Sequence, residues 1–174
     1  MATRSIGSRW LRFWRHRWLD ETDARRMLGD AALARIEQAV RASERRHSGE
    51  IRVCIEAGLP LADLWRDAAA RERAARLFGE LGVWDTEHNN GVLIYLLLAD
   101  RAIEIVADRG AVRVAPPGHW QRLVAGMQDA FRAGRFEAGL LDAVAAVDSL
   151  LVQHYALAPG EANPNELPDR PALL

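Results

Sequence analysis

The chain has no lysine, and all 23 of its basic residues are arginine. Chemistry that needs a lysine, such as a Schiff base or the lysine of a phosphate-binding loop, is therefore excluded. There is one cysteine, Cys54, so neither a disulfide framework nor a cysteine-based zinc site can form. Because Cys54 lies among Ile51, Val53 and Ile55 in a predicted strand, we expect it to be a small buried apolar residue.

Long apolar runs are missing too. Residues 92–99 form an apolar run much shorter than the roughly 20 residues that cross a bilayer. The basic N-terminal segment has no apolar signal-peptide core. These absences predict a cytoplasmic protein that is at most peripheral to the inner membrane.

A net charge of −1 over 174 residues gives no attraction for nucleic acid, which is not expected as a partner. With 49% hydrophobic residues, the chain can form one globular core.

Hydrophobic periodicity predicts the order helix–strand–helix–strand–strand–helix–helix. The first strand covers residues 51–56, the strand at residues 92–99 is apolar on both faces, and Asp100-Arg101 reverses the chain into a third strand. This order predicts an α/β fold, a three-layer α/β/α sandwich with a small mixed sheet: a βαβ unit plus an antiparallel hairpin strand, flanked by helices.

Three segments are expected along the chain. Residues 1–20 form a basic aromatic helix, residues 21–156 form the domain, and residues 157–174 form a proline-rich tail that is extended over the surface or disordered. Thr22 and Asp30 are expected as N-caps, and His47 as a surface or capping residue. One helix is expected to start at Pro60 and to bury a stripe that consists of Leu61, Leu64, Trp65, Ala68, Ala75 and Phe78.

The predicted topology gathers polar residues at one end of the sheet. Glu50 and Asn90 begin the two parallel strands, and the antiparallel third strand returns to the same end at Asp108. Carboxylate and amide oxygens are the preferred ligands of Ca²⁺ and Mg²⁺. Close carboxylates could also position a metal-bound water against a phosphate ester. The candidate metal ligands are Glu50, Asp85, Glu87, Asn89, Asn90 and Asp108.

Two alternatives to this site stay open from the sequence. The polar residues could form a solvated loop, because Asp and Asn favour turns by bonding the local backbone. Ligands of open parallel sheets also bind more often beyond the carboxyl ends of the strands, where this chain places Glu56, Asp100 and Arg101.

An aromatic face is predicted on the N-terminal helix. Trp10, Phe13, Trp14 and Trp18 recur at i, i+3, i+4 and i+8, among arginines. Such a face is typical of a helix that lies at a membrane interface, with its arginines on lipid phosphates. The alternative is that the rings cover an apolar edge of the domain or contact a partner protein.

Four motifs, in order, resemble the TPM domain family. SGEIRV at residues 48–53 resembles its opening "T/S-G-E/A-I-x-V", and NNGVLI at residues 89–94 resembles its "N-N-G-V-L-L" core. Residues 101–110 resemble the strand that follows, and FRAGRFEAGL at residues 131–140 resembles a late "F-R-x-G-x-[YF]-x-x-G-L" stretch. Together the motifs cover about residues 30–155.

The resemblance implies an α/β/α accessory or binding module that takes a divalent cation. In bacterial relatives such a domain often occurs with a LemA-like or other membrane-associated protein. Plant relatives are described as acid phosphatases, so a metal-assisted phosphatase acting on phosphomonoesters is the implied alternative. The matched polar positions are Glu50, Asn89, Asn90 and Asp108. The chain departs from the family pattern in WDTEH at residues 84–88 and in ADRG at residues 107–110, which bears on the phosphatase activity and not on the fold.

Overall fold

The computed structural model describes residues 6–19 and 21–174, and Arg4 of the basic N-terminal segment lies outside this part. The N-terminal helix and the two helices predicted after the hairpin are present, and a short helix at residues 109–114 that the sequence did not predict comes before them. In the described part, the elements are α1 Ile6–Arg17, α2 Glu21–Leu28, α3 Asp30–Glu44, β1 Ile51–Glu56, α4 Leu61–Trp65, α5 Ala70–Glu80, β2 Val92–Leu97, β3 Ala102–Ala107, α6 Arg109–Val114, α7 His119–Arg132, α8 Phe136–Tyr155 and β4 Ala172–Leu173.

The sheet has the strand order β3-β2-β1-β4. β1 and β2 are parallel, with Ile51 opposite Val92, and β2 and β3 are antiparallel, with Val92 opposite Ala107. All six residues of β2 are buried, as its uniformly apolar sequence predicts. The predicted combination of a βαβ unit with a hairpin strand is confirmed.

Helices cover both faces of the sheet, because the side chains of a strand alternate between the faces. Ile94 belongs to a core beneath α3, α7 and α8, whereas Leu93 belongs to a second core beneath α5. Cys54 lies in the second core and is fully buried, as expected. Burial raises the pKa of its thiol to about 12, which keeps it protonated and unreactive. The three-layer α/β/α sandwich is thus confirmed.

The segment after Pro60 forms two helices, α4 and α5, and not the single helix that its periodicity predicts. Asp67, between them, has a left-handed backbone (φ 52°), a conformation that Asp tolerates better than most residues. The break turns one side of α4 outward. Leu61 and Trp65 are therefore 50% and 71% exposed, so their prediction as buried residues is wrong, and Ala75 is exposed as well.

The proline-rich tail packs along the domain. Its last strand, β4, pairs parallel with β1, with Ala172 opposite Cys54. The guanidinium of Arg52 donates hydrogen bonds to the carbonyls of Pro168 (2.7 Å) and Arg170. The extended course agrees with the prediction, whereas the alternative of disorder is wrong. Proline density excludes a central strand but allows a short edge strand, which is the position that β4 takes.

Three local predictions are wrong. α3 begins at Asp30 and is preceded by Gly29, which has φ 82° and no side chain to cap the helix. Thr22 lies inside α2, which begins at Glu21. His47 is fully buried instead of lying on the surface.

Candidate cation site at the amino end of the sheet

The amino ends of β1 and β2 and the carboxyl end of β3 meet at one end of the sheet, which we call the Asn90 end. The amide of Val92 donates to the carbonyl of Glu50 (2.8 Å), and the amide of Asp108 donates to the carbonyl of Gly91 (2.9 Å). Glu50, Asn90 and Asp108 therefore begin or end neighbouring strands, as the topology argument expects.

Each of these three residues has a buried side-chain oxygen without a hydrogen-bond partner. Glu50 and Asn90 are fully buried, and Asp108 is 7% exposed. The unpaired atoms are Oε1 of Glu50, Oδ1 of Asn90 and Oδ2 of Asp108. Buried polar atoms are nearly always paired, because an unpaired one costs about 1–3 kcal/mol. A hydrogen-bond donor or a cation at this end of the sheet would pair these three acceptors.

Asn90 is held by the loop before β2 through its backbone and by Ser48, before β1, through its side chain. Its backbone amide donates to the hydroxyl of Thr86 (3.1 Å), and its Nδ2 donates to Oγ of Ser48 (3.4 Å). The amide nitrogen is thus used in a contact with the chain, and Oδ1 is left as the free acceptor.

Asp108 caps the short helix α6, which the sequence did not predict. Its Oδ1 accepts from the amide of Arg109 (2.6 Å), which leaves Oδ2 unpaired. Burial raises the pKa of the Tyr155 hydroxyl, and the charge of Asp108 adds to the rise. Tyr155, at the end of α8, is therefore a polar neighbour of Asp108 that sequence reasoning missed.

Gly110 holds the loop against α6. Its amide donates to the carbonyl of Asn89 (2.8 Å). A Cβ at this position would lie 2.5 Å from that carbonyl oxygen and 2.8 Å from the carbonyl oxygen of His88. Backbone oxygens of the loop therefore lie beside the first turn of α6, two residues beyond Asp108.

Glu50 is turned toward the tail. Its Oε2 accepts from the amide of Leu167 (3.1 Å), and Nδ2 of Asn163 bridges the carbonyls of His47 (2.9 Å) and Gly49 (3.1 Å). Burial raises the pKa of the Glu50 carboxyl, although the tail amides oppose the rise. The tail residues that cover Glu50 carry no signal in the sequence, since their positions depend on chain-distant packing.

The other predicted ligands lie in the exposed part of the loop. Asp85, Glu87 and Asn89 are exposed, and the amide of Glu87 donates to the carboxylate of Glu166 (3.1 Å). Within residues 6–19 and 21–174, no group of three or more His, Cys, Asp or Glu residues is arranged to hold a metal ion. The six predicted ligands thus divide into two sets: Glu50, Asn90 and Asp108 are buried at the Asn90 end, whereas Asp85, Glu87 and Asn89 lie in the exposed loop.

A cavity of about 280 Å³ lies beside this end of the sheet. It is lined by Ser48, the hydrogen-bond partner of Asn90, and by loop and tail residues. Three of the lining residues, Glu87, Glu161 and Glu166, are acidic. Negative side chains around a cavity raise the local concentration of cations.

A serine, a histidine and an aspartate meet elsewhere, in the interior. Oγ of Ser43 donates to Asp148 (2.8 Å) and lies 2.8 Å from Nε2 of His47, whose Nδ1 contacts the carbonyl of Gly49 (3.0 Å). In a catalytic triad the acid orients the histidine, whereas here it binds the serine. Ser43 is 3% exposed, so the three residues join α3 to α8 and do not form a nucleophilic site.

The N-terminal helix packs at the opposite end of the sheet. Arg12 and His16 are buried and face the domain, whereas Trp10, Trp14 and Trp18 are 59%, 53% and 76% exposed. Phe13 is half-buried between these two sets. The alternative that the rings cover the domain therefore holds only for Phe13.

No helix in the described ranges, 6–19 and 21–174, is long and apolar enough to cross a bilayer.

The fold is that of a small α/β domain with unpaired, buried side-chain oxygens where its parallel strands begin. The model of the TPM domain family matches residues 22–150, which is most of the chain, and the chain belongs to this family. The resemblance seen in the four motifs is thus confirmed. No curated protein matches the chain.

Two solved structures are similar to this fold. The NMR structure of BA42 protein from the psychrophilic bacterium Bizionia argentinensis has 27% sequence identity and a TM-score of 0.70, over 83% of this chain and 93% of that one. The solution NMR structure of the N-terminal domain of a protein from P. gingivalis has 24% identity and a TM-score of 0.62, over 76% of this chain and 83% of that one. The second likeness supports the fold alone.

Proposed function

We propose that the protein is a TPM-domain binding module that takes a divalent cation at the Asn90 end. The observation that carries the proposal is the pair of buried, unpaired oxygens of Asn90 and Asp108, a smaller set than the six predicted ligands, at the end of the sheet where loop carbonyls approach Gly110. A bound cation would satisfy acceptors that the chain itself leaves without donors.

The chemistry of the donors selects the class of ion. One carboxylate, one side-chain amide and backbone carbonyls are all hard oxygen ligands, which suit Ca²⁺ and Mg²⁺ and not the softer transition metals. Because Asp108 is the only carboxylate in this smaller set, the affinity expected for Ca²⁺ is modest. Ligation by water would complete the coordination shell.

Titration of the full chain with Ca²⁺ and Mg²⁺, followed by amide chemical shifts, tests the proposal. We expect the shifts of Asn90, Gly91, Asp108 and Gly110 to move together and to saturate. In Asp108→Asn, which keeps a capping side chain for α6 but removes the charge, we expect the Kd to rise by about tenfold or more.

Asp85→Asn is the matched control, because it removes one carboxylate from the exposed part of the same loop. The smaller site predicts a Kd close to that of the unmodified chain. Equal losses in Asp85→Asn and Asp108→Asn would favour the six-ligand site derived from the sequence, and the absence of saturable shifts at residues 88–91 and 107–110 would refute cation binding.

The phosphatase alternative stays a prediction from family resemblance. Its support is limited to the same oxygens, which could hold a metal-bound water. A LemA-like or other membrane-associated protein likewise stays a predicted partner.

A further inference from the structure

We infer that α1 and α4 together form a membrane-docking surface for anionic lipid bilayers. The surface, called the aromatic face below, is independent of the proposed cation site and lies at the other end of the sheet. Its exposed members are Trp10, Leu11, Trp14, Trp18, Leu61 and Trp65.

Ring contacts join the two helices into one face. Phe13 of α1 makes edge contacts with Trp10, Trp14 and Trp65, with ring centroids 6.1, 6.2 and 6.2 Å apart. Leu61 lies one helical turn before Trp65, on the same side of α4. Phe13 thus lies between the exposed rings of the two helices and contacts both sets.

α1 buries polar side chains and exposes apolar ones, which is the reverse of an ordinary surface helix. Such a helix ordinarily buries its apolar side and exposes its charges. Here Arg12 (6% exposed) and His16 (3% exposed) face the domain, and the tryptophans face outward. Exposed apolar surface that is gathered in one place marks a binding site.

Polar bonds hold this inverted orientation. Arg12 donates to Asp67 (2.9 Å), to the carbonyl of Ala68 (2.9 Å) and to Asp100. His16 accepts a hydrogen bond at Nδ1 from the amide of Leu59 (2.9 Å), so its protonated Nε2 donates to Asp100 (3.0 Å). Because Arg12 and His16 form these hydrogen bonds with the domain, the opposite, aromatic side of α1 faces outward.

Close backbone contact adds a second restraint. A Cβ at Gly58 would lie 2.5 Å from the carbonyl oxygen of His16. Glycine at this position therefore allows the end of α1 to sit directly on the chain that leaves β1.

The charge around the face favours an anionic partner. α1 contains no acidic residue, and its arginines Arg15 and Arg17 are exposed, although Nη2 of Arg15 also donates to Asp100 (2.6 Å). Three acids in α4 or in the loops beside α1 and α4 are engaged by basic side chains: Asp100 by Arg12, Arg15 and His16, Asp67 by Arg12, and Asp63 by Arg66 and Arg76. Tryptophan rings at headgroup depth with arginines beside lipid phosphates are the composition of an interfacial helix.

Docking through this face would orient the molecule. α1 contacts the chain after β1 and the turn after β2, which are the carboxyl ends of both parallel strands. The Asn90 end lies one strand length away, about 20 Å for six residues. The cation site would therefore face the water and not the bilayer.

Vesicle flotation of the full chain tests the inference. We expect binding to phosphatidylcholine vesicles that contain phosphatidylglycerol, and weak binding to phosphatidylcholine alone. The double variant Trp14→Ser/Trp65→Ser should reduce partitioning by about tenfold or more, because two rings leave the interface. Trp84→Ser, which removes an exposed ring near the Asn90 end, is the matched control and should partition normally.

Labelled variants test the orientation. An environment-sensitive thiol dye on Ala62→Cys should shift to the blue on vesicle binding, whereas the same dye on His88→Cys should not. Cys54 is buried and does not compete for the dye.

Three results would overturn the inference. They are no binding of the unmodified chain to phosphatidylglycerol vesicles, equal partitioning of the double variant, or a blue shift at position 88 instead of 62. Self-association that needs Trp14 and Trp65, in a chain that ignores vesicles, would assign the face to a protein interface instead.

Discussion

The guanidinium of Arg12 donates two hydrogen bonds to Oδ2 of Asp100, from Nε at 3.1 Å and from Nη2 at 2.9 Å. This pair fastens the first helix to the turn between β2 and β3. Burial by itself would raise the pKa of Asp100, but the hydrogen bonds and charges of His16 and Arg12 together outweigh it and hold this pKa well below its usual range. Asp100 is therefore ionised at neutral pH and keeps the helix in place.

Removal of the Arg12 side chain should release α1. In Arg12→Ala we expect the free energy of unfolding to fall by about 3 kcal/mol, because Asp100 loses a partner in a partly buried pair. Amide hydrogen exchange in residues 10–17 should accelerate at the same time. Arg17→Ala, on the exposed side, should change the stability by less than about 0.5 kcal/mol. Unchanged protection of α1 in Arg12→Ala would contradict the role given to this pair.

Glu44 should make stability depend on pH. Burial is the main cause that raises its pKa from 4.5 to about 9, against the opposing hydrogen bond from the amide of Ile51. The folded protein then holds a proton that the unfolded chain releases near pH 4.5. The free energy of unfolding should therefore fall as the pH rises from about 4.5 to about 9, by at most about 1.4 kcal/mol per pH unit.

Glu44→Gln checks this dependence by denaturant unfolding across that pH range. The amide still accepts the Ile51 hydrogen bond but cannot ionise, so the variant should lose this part of the slope and be the more stable form at pH 8. Exposed Glu72→Gln should keep the slope. Parallel curves for Glu44→Gln and the unmodified chain would show that Glu44 titrates normally.

The tail should contribute to the stability of the domain. Leu167 is 8% exposed and packs in the core that contains Leu93 and Tyr95. Leu167→Ala should lower the free energy of unfolding by about 2 kcal/mol, measured by urea denaturation. Leu61→Ala, a truncation of the same kind at a half-exposed site, should cost less than about 0.5 kcal/mol. Equal, small losses would mean that the tail is not part of the cooperative unit.

Part of the candidate site follows from local sequence. The apolar strand at residues 92–97 and the alternating strand at residues 51–56 are joined by helix, so handedness makes them parallel and brings Glu50 and Asn90 to one end of the sheet. The reversal at Asp100-Arg101 then returns Asp108 to that end. These steps use only the hydrophobic period of the strands, one turn and the handedness rule for parallel connections. The structure contains the strand pairs that they predict.

Other features depend on packing between distant segments. Leu167, whose amide donates to the Glu50 carboxylate, is 117 residues further along the chain, and no local pattern encodes such a contact. The break at Asp67 involves neither glycine nor proline, and a single Asp inside a helical period is only a weak turn signal. Because the break turns Trp65 toward α1, the aromatic face could not be assembled from the periodicity of α1 alone.

The sequence by itself determined the family, the pairing of β1, β2 and β3, and the position of Glu50, Asn90 and Asp108 at one end of the sheet, because these follow from apolar periodicity, the rule of chain connection and four short motifs. The tertiary structure decided which side-chain oxygens at the Asn90 end are buried and unpaired, where the tail lies and which side of α1 faces outward. These outcomes depend on competition among contacts far apart in the chain. Arg12, for example, is buried because three partners from two distant loops satisfy its guanidinium.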